Sequence, residues 1–509
     1  MPQLKIPPTL YNAALSKTRV WIVSVASAIY RRSGNYENVL CQQAILQFNL
    51  YLTSNIPTHI IDELYNSSEI LFDSEDGNQS QLSPFEKHIT FDQRIVLSLY
   101  IHKNMKRLTA HKIVNDNFWK SKLLCLQNLL RLDLNKVCTD EILEVVGQCC
   151  KNLEFVNIVS KSCHTRTKDR HNALKLQLCV SDTGLSHLSN CKQLKEIQMT
   201  CIIRKGCGGR QITNEGIKRL LLSLPSLRRI NYTDTGILLD SITEVGKLSL
   251  ISVTDYHPRA DRIPKIEAMC PYLTELHLTY AFSSDDHRSY VISALSSSKL
   301  KISTLSLTNF PFDDCLIKYL ELKGTYLREF NFVSSFIQSV NELFRLLGWT
   351  CPNLENLHVH FHLFDRGFFS DQYPFNSSVC SNNKLFSNLK SLTIKGVYWD
   401  SSQVLPLLLK NAACIKKIVL NNHSYSGCLD ELLQHIQQSN PFLHLESVSF
   451  LKGVHVSFQF LRTFLLACPM LRSVTVENES QAYFELVVQL REELLAKNVD
   501  VNIDVYGTC

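Results

Sequence analysis

The clearest spacing for metal chemistry in this chain is a pair of histidines two positions apart. His358 and His360 would point to the same side of a strand, and His362 follows at the same interval. Two imidazoles at that spacing can ligate a metal ion, but no neighbouring cysteine or carboxylate completes a ligand set. We therefore expect a polar binding face here and no metal site.

Other catalytic patterns are missing from the sequence. The glycine-rich stretch at 206–209 lacks the lysine and hydroxyl residue of a phosphate-binding loop, so we interpret it as an ordinary loop. No serine elbow, zinc-protease helix or EF-hand loop occurs, and no nucleophile, base and orienting group are placed together. The sequence predicts a protein that is not an enzyme and has no cofactor.

The sequence contains 18 cysteines, which form no Cys-x-x-Cys pair, and some of them recur at one position of a repeated pattern. Five of them stand three residues before a recurring aliphatic motif: Cys150, Cys191, Cys270, Cys351 and Cys468. A thiol that recurs at one phase is typical of a small buried hydrophobic residue, and free thiols favour the cytoplasm or nucleus. The alternative of an extracellular receptor would need a signal peptide, which residues 17–28 imitate only poorly, and disulfide-bonded caps.

The recurring motif is aliphatic-x-x-aliphatic-x-aliphatic, and it occurs thirteen times. The first aliphatic residues of the copies are Leu129, Leu153, Leu194, Leu227, Leu248, Leu273, Ile302, Leu327, Leu354, Leu389, Ile415, Leu445 and Leu471. Their mean spacing is about 28 residues, within the period of roughly 20–29 residues that leucine-rich repeats show. The last two aliphatic residues share one face of a strand, and a helix-period segment separates one strand from the next.

Stacked units of this kind bury a continuous core, with a parallel sheet on one surface and helices on the other. We predict an α/β fold: a leucine-rich-repeat solenoid, or horseshoe, of about 13 repeats over residues 123–509. The phrases Cys-Pro-Tyr-Leu at 270 and Cys-Pro-Asn-Leu at 351 resemble the cysteine-containing leucine-rich-repeat subfamily. That resemblance implies a curved solenoid, and the subfamily is common among substrate receptors of ubiquitin ligases.

Residues 1–122 lack the repeat and form the predicted helical N-terminal cap. The apolar pattern predicts helices over 10–30 and 38–53, and again within 91–119, with a polar loop between. A solenoid needs a cover for the core that its first repeat leaves open. The simplest interpretation is that these helices pack on the first repeat and do nothing else.

Two short motifs in the cap resemble adaptor-docking boxes. The segment with Leu10 and Ala14 resembles the elongin-binding box, although Ala14 stands where the box has cysteine. Ile56, Pro57, Ile60 and Leu64 resemble the cullin-selecting box, and the order of the two motifs is similar to receptors of the Zyg-eleven type. Unlike those receptors, this chain shows no armadillo-type domain after the repeats. The 56–64 segment also resembles the opening of an F-box, which implies a Skp-type adaptor, but the expected tryptophan is missing nearby.

Partner-binding residues are expected on the outward positions of the middle strands and on one long insertion. The strand candidates are Glu275, His277, Glu329, Asn331, Asn356, His358 and His360. The insertion at 361–386 adds the aromatic residues Phe368, Phe369 and Tyr373, and aromatic anchors dominate interface energies. We expect a protein substrate on the concave face or on this loop.

The charge balance and hydropathy exclude two other partner classes. The net charge of +6 is small for 509 residues, and basic residues do not gather on the predicted sheet face, so no nucleic acid is expected. No apolar run is long enough for a membrane span. The sequence thus predicts a non-enzymatic interaction scaffold in the cytoplasm or nucleus. The first hypothesis is a substrate-recognition subunit of a cullin–RING ubiquitin ligase, and the alternative is a leucine-rich-repeat binding or assembly protein with no ubiquitin role.

Overall fold

The computed structural model describes most of the chain in two compact units, residues 8–251 and residues 252–509. The described residues are 10–33, 36–56, 58–66, 93–110, 115–134, 137–158, 180–199, 212–232, 235–242, 246–280, 287–334, 340–361, 385–396, 401–421, 429–452, 454–477, 480–496 and 501–506. Both units alternate strands with helices, as the repeat pattern predicts.

Among its described residues, the first unit begins with four helices and continues into a five-stranded parallel sheet. Its elements are α1 (Leu10–Ser33), α2 (Val39–Asn55), α3 (Thr58–Asn66), α4 (Gln93–Tyr100), β1 (Arg107–Thr109), α5 (Asp116–Leu123), β2 (Arg131–Asp133), α6 (Asp140–Cys149), β3 (Phe155–Asn157), α7 (Asp182–Leu188), β4 (Glu196–Gln198), α8 (Asn214–Ser223), β5 (Arg229–Asn231) and α9 (Thr235–Asp240). The strands pair in sequence order from β1 to β5.

The second unit contains a ten-stranded parallel sheet, again in sequence order. Its elements are β6 (Ser252–Asp255), α10 (Arg262–Met269), β7 (Glu275–Thr279), α11 (Arg288–Ser297), β8 (Thr304–Thr308), α12 (Asp314–Lys323), β9 (Glu329–Ser334), α13 (Val340–Thr350), β10 (Asn356–Phe361), β11 (Ser391–Gly396), α14 (Ser401–Leu409), β12 (Lys417–Asn421), α15 (Asp430–Ser439), β13 (Ser447–Leu451), α16 (Phe458–Ala467), β14 (Ser473–Glu477), α17 (Gln481–Ala496) and β15 (Asn502–Tyr506). Sequential parallel strands joined by helices are the arrangement of a leucine-rich-repeat solenoid, so the predicted fold class is confirmed.

The thirteen motifs fall on the thirteen strands from β2 to β14, and their aliphatic residues form rows across the sheets. Within each sheet, and apart from the fifth copy, the second aliphatic residue pairs with the equivalent residue of the adjacent copy, as in Leu276 with Leu305 and Leu357 with Leu392. These side chains are fully buried. The repeat therefore builds its core by stacking the same position from one strand to the next.

The five phased cysteines occupy the turn between helix and strand. The backbone N–H of the first aliphatic residue donates to the carbonyl three residues earlier, at 3.2 Å for Leu153 to Cys150 and 3.1 Å for Leu273 to Cys270. This turn directs each thiol into the core, and all five are free and buried. Burial raises the pKa of Cys150, Cys270 and Cys468 to about 12. The prediction that these cysteines act as small buried hydrophobic residues is confirmed.

A ladder of side-chain hydrogen bonds links the starts of the early repeat helices. The Asp140 carboxylate accepts hydrogen bonds from the Ser181 amide at 2.7 Å and the Ser181 hydroxyl at 2.6 Å. Asp182 accepts the equivalent pair from Thr213, at 2.8 Å and 2.6 Å. Ser181 and Thr213 also cap their own helices, so each polar pair joins one repeat to the next.

The predicted register of the fifth motif is wrong by two residues. The sequence assigns Leu248, Ile251 and Val253 to this copy, but Val253 pairs with Leu276, the second aliphatic residue of the next copy. The inward positions of β6 are therefore Leu250, Val253 and Asp255. A carboxylate fills a position that is aliphatic elsewhere, because the buried Arg262 neutralises it at 3.1 Å.

The strand β1 lies within the residues assigned to the helical cap. The prediction of helix within 91–119 is correct for α4 and the start of α5 but wrong for Arg107–Thr109, which pairs with β2. The buried residues at the motif positions around this strand are Met105, Leu108 and Ala110, so the pattern of three large aliphatic residues is not visible there. A further strand beyond the motifs, β15, pairs with β14 at the other end.

Two predicted features fall wholly or largely outside the described residues, namely the glycine-rich stretch at 206–209 and the insertion at 361–386. Phe361 and Phe386, at the two ends of that insertion, are buried. Among the helices that the structure describes, none combines the length and apolar character of a membrane span.

Candidate protein-interaction surfaces

The solvent-facing side of the ten-stranded sheet arranges its side chains in rows. Inward residues are buried and the alternate residues are half-buried or exposed, as strand geometry requires. One row runs from Glu275 through Thr304 and Glu329 to Asn356. The parallel register therefore brings side chains from four separate repeats onto one continuous surface.

The second row carries the histidines. His277 pairs with Ser306, which pairs with Asn331, which pairs with His358. His360 lies in a third row on the same strand as His358. All seven strand residues that the sequence selects as partner-binding candidates thus lie on the solvent-facing side of β7, β9 and β10.

The two histidines of the second row are partly desolvated. Burial lowers the pKa of His277, while Glu275 and Glu329 act in the opposite direction. Burial also lowers the pKa of His358, and Lys395 lowers it further. Both imidazoles are therefore neutral at pH 7, and they contribute hydrogen-bonding groups to the surface without positive charge.

The described residues contain no group of three or more histidine, cysteine or acidic side chains that could hold a metal ion. His358 and His360 stand on one face of β10, as their spacing predicts. The rest of a ligand set is not brought to them within the part of the chain that the structure describes.

Charged residues that precede the strands are joined in pairs along the edge of this sheet. Glu355 lies between Arg328 at 3.4 Å and Lys390 at 2.7 Å, and Lys416 contacts Glu446 at 3.0 Å. Hydrogen bonding from Lys390 is the largest cause of the lowered pKa of Glu355. Because the side chains of Arg328, Glu355 and Lys390 are partly exposed, each of their two pairs adds at most about 1 kcal/mol to stability.

The N-terminal helices present a second surface of a different kind. The outward side of α2 carries large apolar side chains: Val39, Leu40, Leu46, Leu50 and Tyr51. Leu46 is 61% exposed and Leu50 is 58% exposed. Trp21 of α1 extends this surface, with its ring centroid 5.1 Å from that of Phe48 and 6.3 Å from that of Tyr51.

The residues of the predicted docking boxes have mixed positions. Leu10 and Ala14 lie in α1, but their side chains and the whole of Pro57 fall outside the described part of the chain. Ile56 and Ile60 are half-buried, whereas Leu64 is fully buried. The helix α3 packs on β1, where the Tyr65 hydroxyl donates to the Thr109 carbonyl. The 56–64 segment is therefore partly core.

The aromatic residues Phe368, Phe369 and Tyr373 also lie outside the described residues, so their proposed contact with a partner stays a prediction.

Sequence reasoning missed two parts of these surfaces. Lys395 and Lys417 stand on the solvent-facing side of β11 and β12, and alternation along those strands was sufficient to find them. The outward side of α2 also had a visible signal, because none of its 17 residues is charged.

Comparison of the chain with solved structures gives distant matches, of which one is described here. No family model matches the chain, and no curated protein matches it. Among solved structures, the chain is similar to the crystal structure of the Rad7 and Elc1 complex in yeast, with a TM-score of 0.44 and 13% sequence identity. The match covers 92% of this chain and 93% of that chain.

Proposed function

We propose that this protein is a non-enzymatic substrate-recognition subunit of a cullin–RING E3 ubiquitin ligase that works in the cytoplasm or nucleus. In this proposal the N-terminal helices dock an elongin-type adaptor, and the solvent-facing side of the repeat sheet holds the protein substrate. The observation that carries it is the uncovered apolar side of α2 beside Trp21.

This surface is unusual for a free soluble chain. Leu46 and Leu50 lie one turn apart on the same side of α2, Tyr51 follows Leu50 directly, and more than half of each side chain is exposed. Contiguous apolar surface that remains uncovered marks sites of protein contact. A common mode of recognition places the apolar side chains of a helix, at this spacing, in a hydrophobic groove of the partner.

The motif order supplies the identity of the proposed partner. Leu10 opens α1 and the 56–64 segment enters α3, so the two box-like motifs precede and follow α2 in the sequence. Lys17, Arg31 and Arg32 are exposed on α1, the helix that also carries Val20 and Trp21. An adaptor groove with an apolar floor and acidic margins is complementary to this arrangement.

Co-expression tests the proposal. The tagged full chain is expressed with elongin B, elongin C and a cullin, and the purified complex is quantified by mass spectrometry. We expect stoichiometric elongin with the wild type and at least a tenfold loss with Leu46→Asp/Leu50→Asp, since both charges would enter an apolar contact. Both positions are exposed, so the free chain keeps its fold.

Leu222→Asp/Leu443→Asp is the matched control, because it places two carboxylates at other exposed leucines. This variant retains elongin if the α2 surface is the docking site. The proposal is overturned if the wild type brings down no adaptor, or if the control loses the adaptor equally. Recovery of a Skp-type adaptor in place of elongin contradicts the elongin assignment and supports the F-box-like resemblance.

The second candidate is a leucine-rich-repeat binding or assembly protein without a ubiquitin role. The burial of Leu64 and Asp62 favours it, since Asp62 accepts a hydrogen bond from the Lys106 amide at 3.1 Å and ties α3 to the residues before β1. A segment with these contacts stabilises the unit whether or not an adaptor exists. A reconstituted ubiquitination assay distinguishes the two candidate functions. Only a ligase subunit would bring cullin-dependent ubiquitination to a bound protein in that assay.

A further inference from the structure

The solvent-facing side of the ten-stranded sheet separates its charges into two poles. The outward positions of β6 to β10 include Glu275 and Glu329 but no lysine or arginine. The outward positions of β11 to β13 include Lys395 and Lys417 but no carboxylate. Carboxylates return only at Glu477 and Asp504, on β14 and β15.

Three of the four charges of these poles, those of Glu329, Lys395 and Lys417, differ from the charges at the edge of the sheet. The edge residues Arg328, Glu355 and Lys390 form ion pairs with one another. Glu329, Lys395 and Lys417 form no ion pair with any residue that the structure describes. A charge on a recognition surface that the protein does not neutralise itself is available to a ligand of opposite sign.

The neighbouring side chains report the sign of each pole. Glu275 and Glu329 both raise the pKa of His277, against the effect of burial. Lys395 lowers the pKa of His358, which lies in the same row as His277. Thr304 lies between the two glutamates and carries no charge. Across the strands, the acidic pole is therefore centred on β8 and the basic pole is centred between β11 and β12. Lys417 lies in the row of the two glutamates, and Lys395 lies four residues further along the strand direction.

From this geometry we infer that the sheet binds an extended peptide segment that carries one basic and one acidic side chain about five residues apart. Neighbouring strands are about 4.8 Å apart, so the two poles are about 17 Å apart across the sheet. An extended chain advances about 3.4 Å per residue and covers that distance in about five residues. The basic side chain lies between Glu275 and Glu329, and the acidic side chain lies between Lys395 and Lys417.

This inference rests on the proposed function in taking the sheet as the substrate-holding surface. It adds the substrate class: an unfolded or loop segment with paired charges, and not an acidic or basic stretch. The row of His277, Ser306, Asn331 and His358 supplies hydrogen-bonding groups to the backbone between the two charges.

Peptide titration tests the inference on the purified full chain. The probes are fluorescein-labelled 12-residue peptides of Gly, Ser, Ala and Gln that contain an Arg and a Glu two, five or eight positions apart. Further probes contain no charge, or two Glu five positions apart. By fluorescence anisotropy in 50 mM salt, we expect the five-position peptide to bind about tenfold tighter than the uncharged one, with most of this preference lost in 500 mM salt.

Charge reversal provides the decisive variant. Glu275→Lys/Glu329→Lys makes both poles basic, so we expect it to lose the Arg–Glu peptide and to prefer the peptide with two Glu. Glu321→Lys/Glu431→Lys changes the net charge equally at exposed helix positions and keeps the wild-type preference. Where circular dichroism shows that the lysine variant is unfolded, Glu275→Gln/Glu329→Gln replaces it, and we expect loss of the spacing preference.

Three outcomes overturn the inference: equal binding of the charged and uncharged peptides, no dependence on spacing, or the same change with the helix control. The adaptor experiment uses other residues and another partner. If the chain binds peptides with a spacing preference but binds no adaptor, only the proposed ligase role is contradicted. If it binds the adaptor but shows no peptide selectivity, only this inference is contradicted.

Discussion

Thiol burial at a repeated turn is the most regular residue-level feature of this protein. Cys150, Cys270 and Cys468 occupy equivalent positions, and desolvation is the main cause of the raised pKa of each thiol. A cysteine fits here because its small side chain fills the space below the turn and needs no hydrogen-bond partner. Asn440 precedes the equivalent turn of a later repeat, and its amide donates instead to the carbonyls of Leu409 and Ala412.

The raised pKa of Cys270 predicts a pH dependence of stability. Burial raises its pKa from 9.0 to about 12, so the unfolded chain releases the thiol proton between these values while the folded chain keeps it. The stabilising contribution of the thiol is therefore complete below pH 9 and falls as pH rises towards 12. We expect Cys270→Ala to lower the free energy of unfolding by about 1–2 kcal/mol at pH 7.5.

This cost of Cys270→Ala should decrease by up to about 1.4 kcal/mol for each pH unit above 9, as measured by urea unfolding from pH 7.5 to 10.5. Cys414→Ala, at an exposed position, is the control for general alkaline effects. A difference between wild type and Cys270→Ala that stays constant over this range would contradict the assignment.

The buried ion pair of β6 predicts a double-mutant result. Asp255 and Arg262 are both buried, and the Arg262 guanidinium also donates to the His257 carbonyl at 2.7 Å. Arg262→Met leaves a buried carboxylate without its cation, so we expect a loss of about 3–5 kcal/mol in the free energy of unfolding. Asp255→Leu/Arg262→Met restores the aliphatic residue that neighbouring strands have and should recover most of that loss. If the double variant is as unstable as Arg262→Met, the ion pair must stabilise the fold by more than the mutual neutralisation of its two buried charges.

At the scale of elements, the capping ladder explains why glycine follows the acidic residues at two helix starts. A Cβ at Gly184 would overlap the Asp140 carboxylate and lie 3.1 Å from the Asp140 Cα. The repeat therefore needs glycine at this position so that the Asp140 side chain can reach Ser181 of the next repeat. Gly216 has the same relation to Asp182.

Gly184→Ala is expected to destabilise the first unit by about 2–4 kcal/mol, because the new methyl group displaces the carboxylate from two hydrogen bonds. Urea unfolding followed by circular dichroism measures the change. Gly246→Ala is the matched control, since a Cβ there meets no atom within 4 Å, and it should change stability by less than about 0.5 kcal/mol. Equal effects of the two substitutions would rule out the close approach as the cause.

Elements with repeated aliphatic residues were predictable, and elements without them were not. The strands from β7 to β14 follow their motifs because the sequence spacing and the stacked core obey the same period. The register of β6 was missed because Asp255 occupies an inward position that only the tertiary contact with Arg262 makes acceptable. The strand β1 was missed because the buried residues at the motif positions are Met105, Leu108 and Ala110, and the alanine does not show the aliphatic pattern.

The candidate surfaces were predictable to a similar extent. Alternation along the strands identified Glu275, Glu329 and His358 as solvent-facing, and the register confirms their side of the sheet. The separation into acidic and basic poles was not visible, since it depends on which repeats become neighbours and which charges are already paired. Lys390 and Lys395 lie five residues apart, yet only Lys390 has an ion-pair partner among the described residues.

At the scale of the whole molecule, the two proposed surfaces belong to different units of the chain. Leu46 and Leu50 lie in the unit of residues 8–251, and Glu275 and Glu329 lie in the unit of residues 252–509. Each unit has its own parallel sheet and its own stacked core. A substrate receptor needs one surface for the ligase and one for the substrate, and separate units allow each to change without loss of the other.

The last prediction is a separation of the two binding activities. Leu46→Asp/Leu50→Asp should lose the elongin-type adaptor at least tenfold and keep the wild-type preference for the five-position Arg–Glu peptide, because its substitutions leave the charges of the sheet unchanged. Glu275→Lys/Glu329→Lys should lose that preference and retain the adaptor, because α2 is unaltered. Adaptor pull-down and peptide anisotropy, measured on the same preparations, give four values that together decide the result. If either pair of substitutions impairs both activities while circular dichroism shows native helix content, one shared surface must serve both partners, and the assignment of adaptor and substrate to different units is wrong.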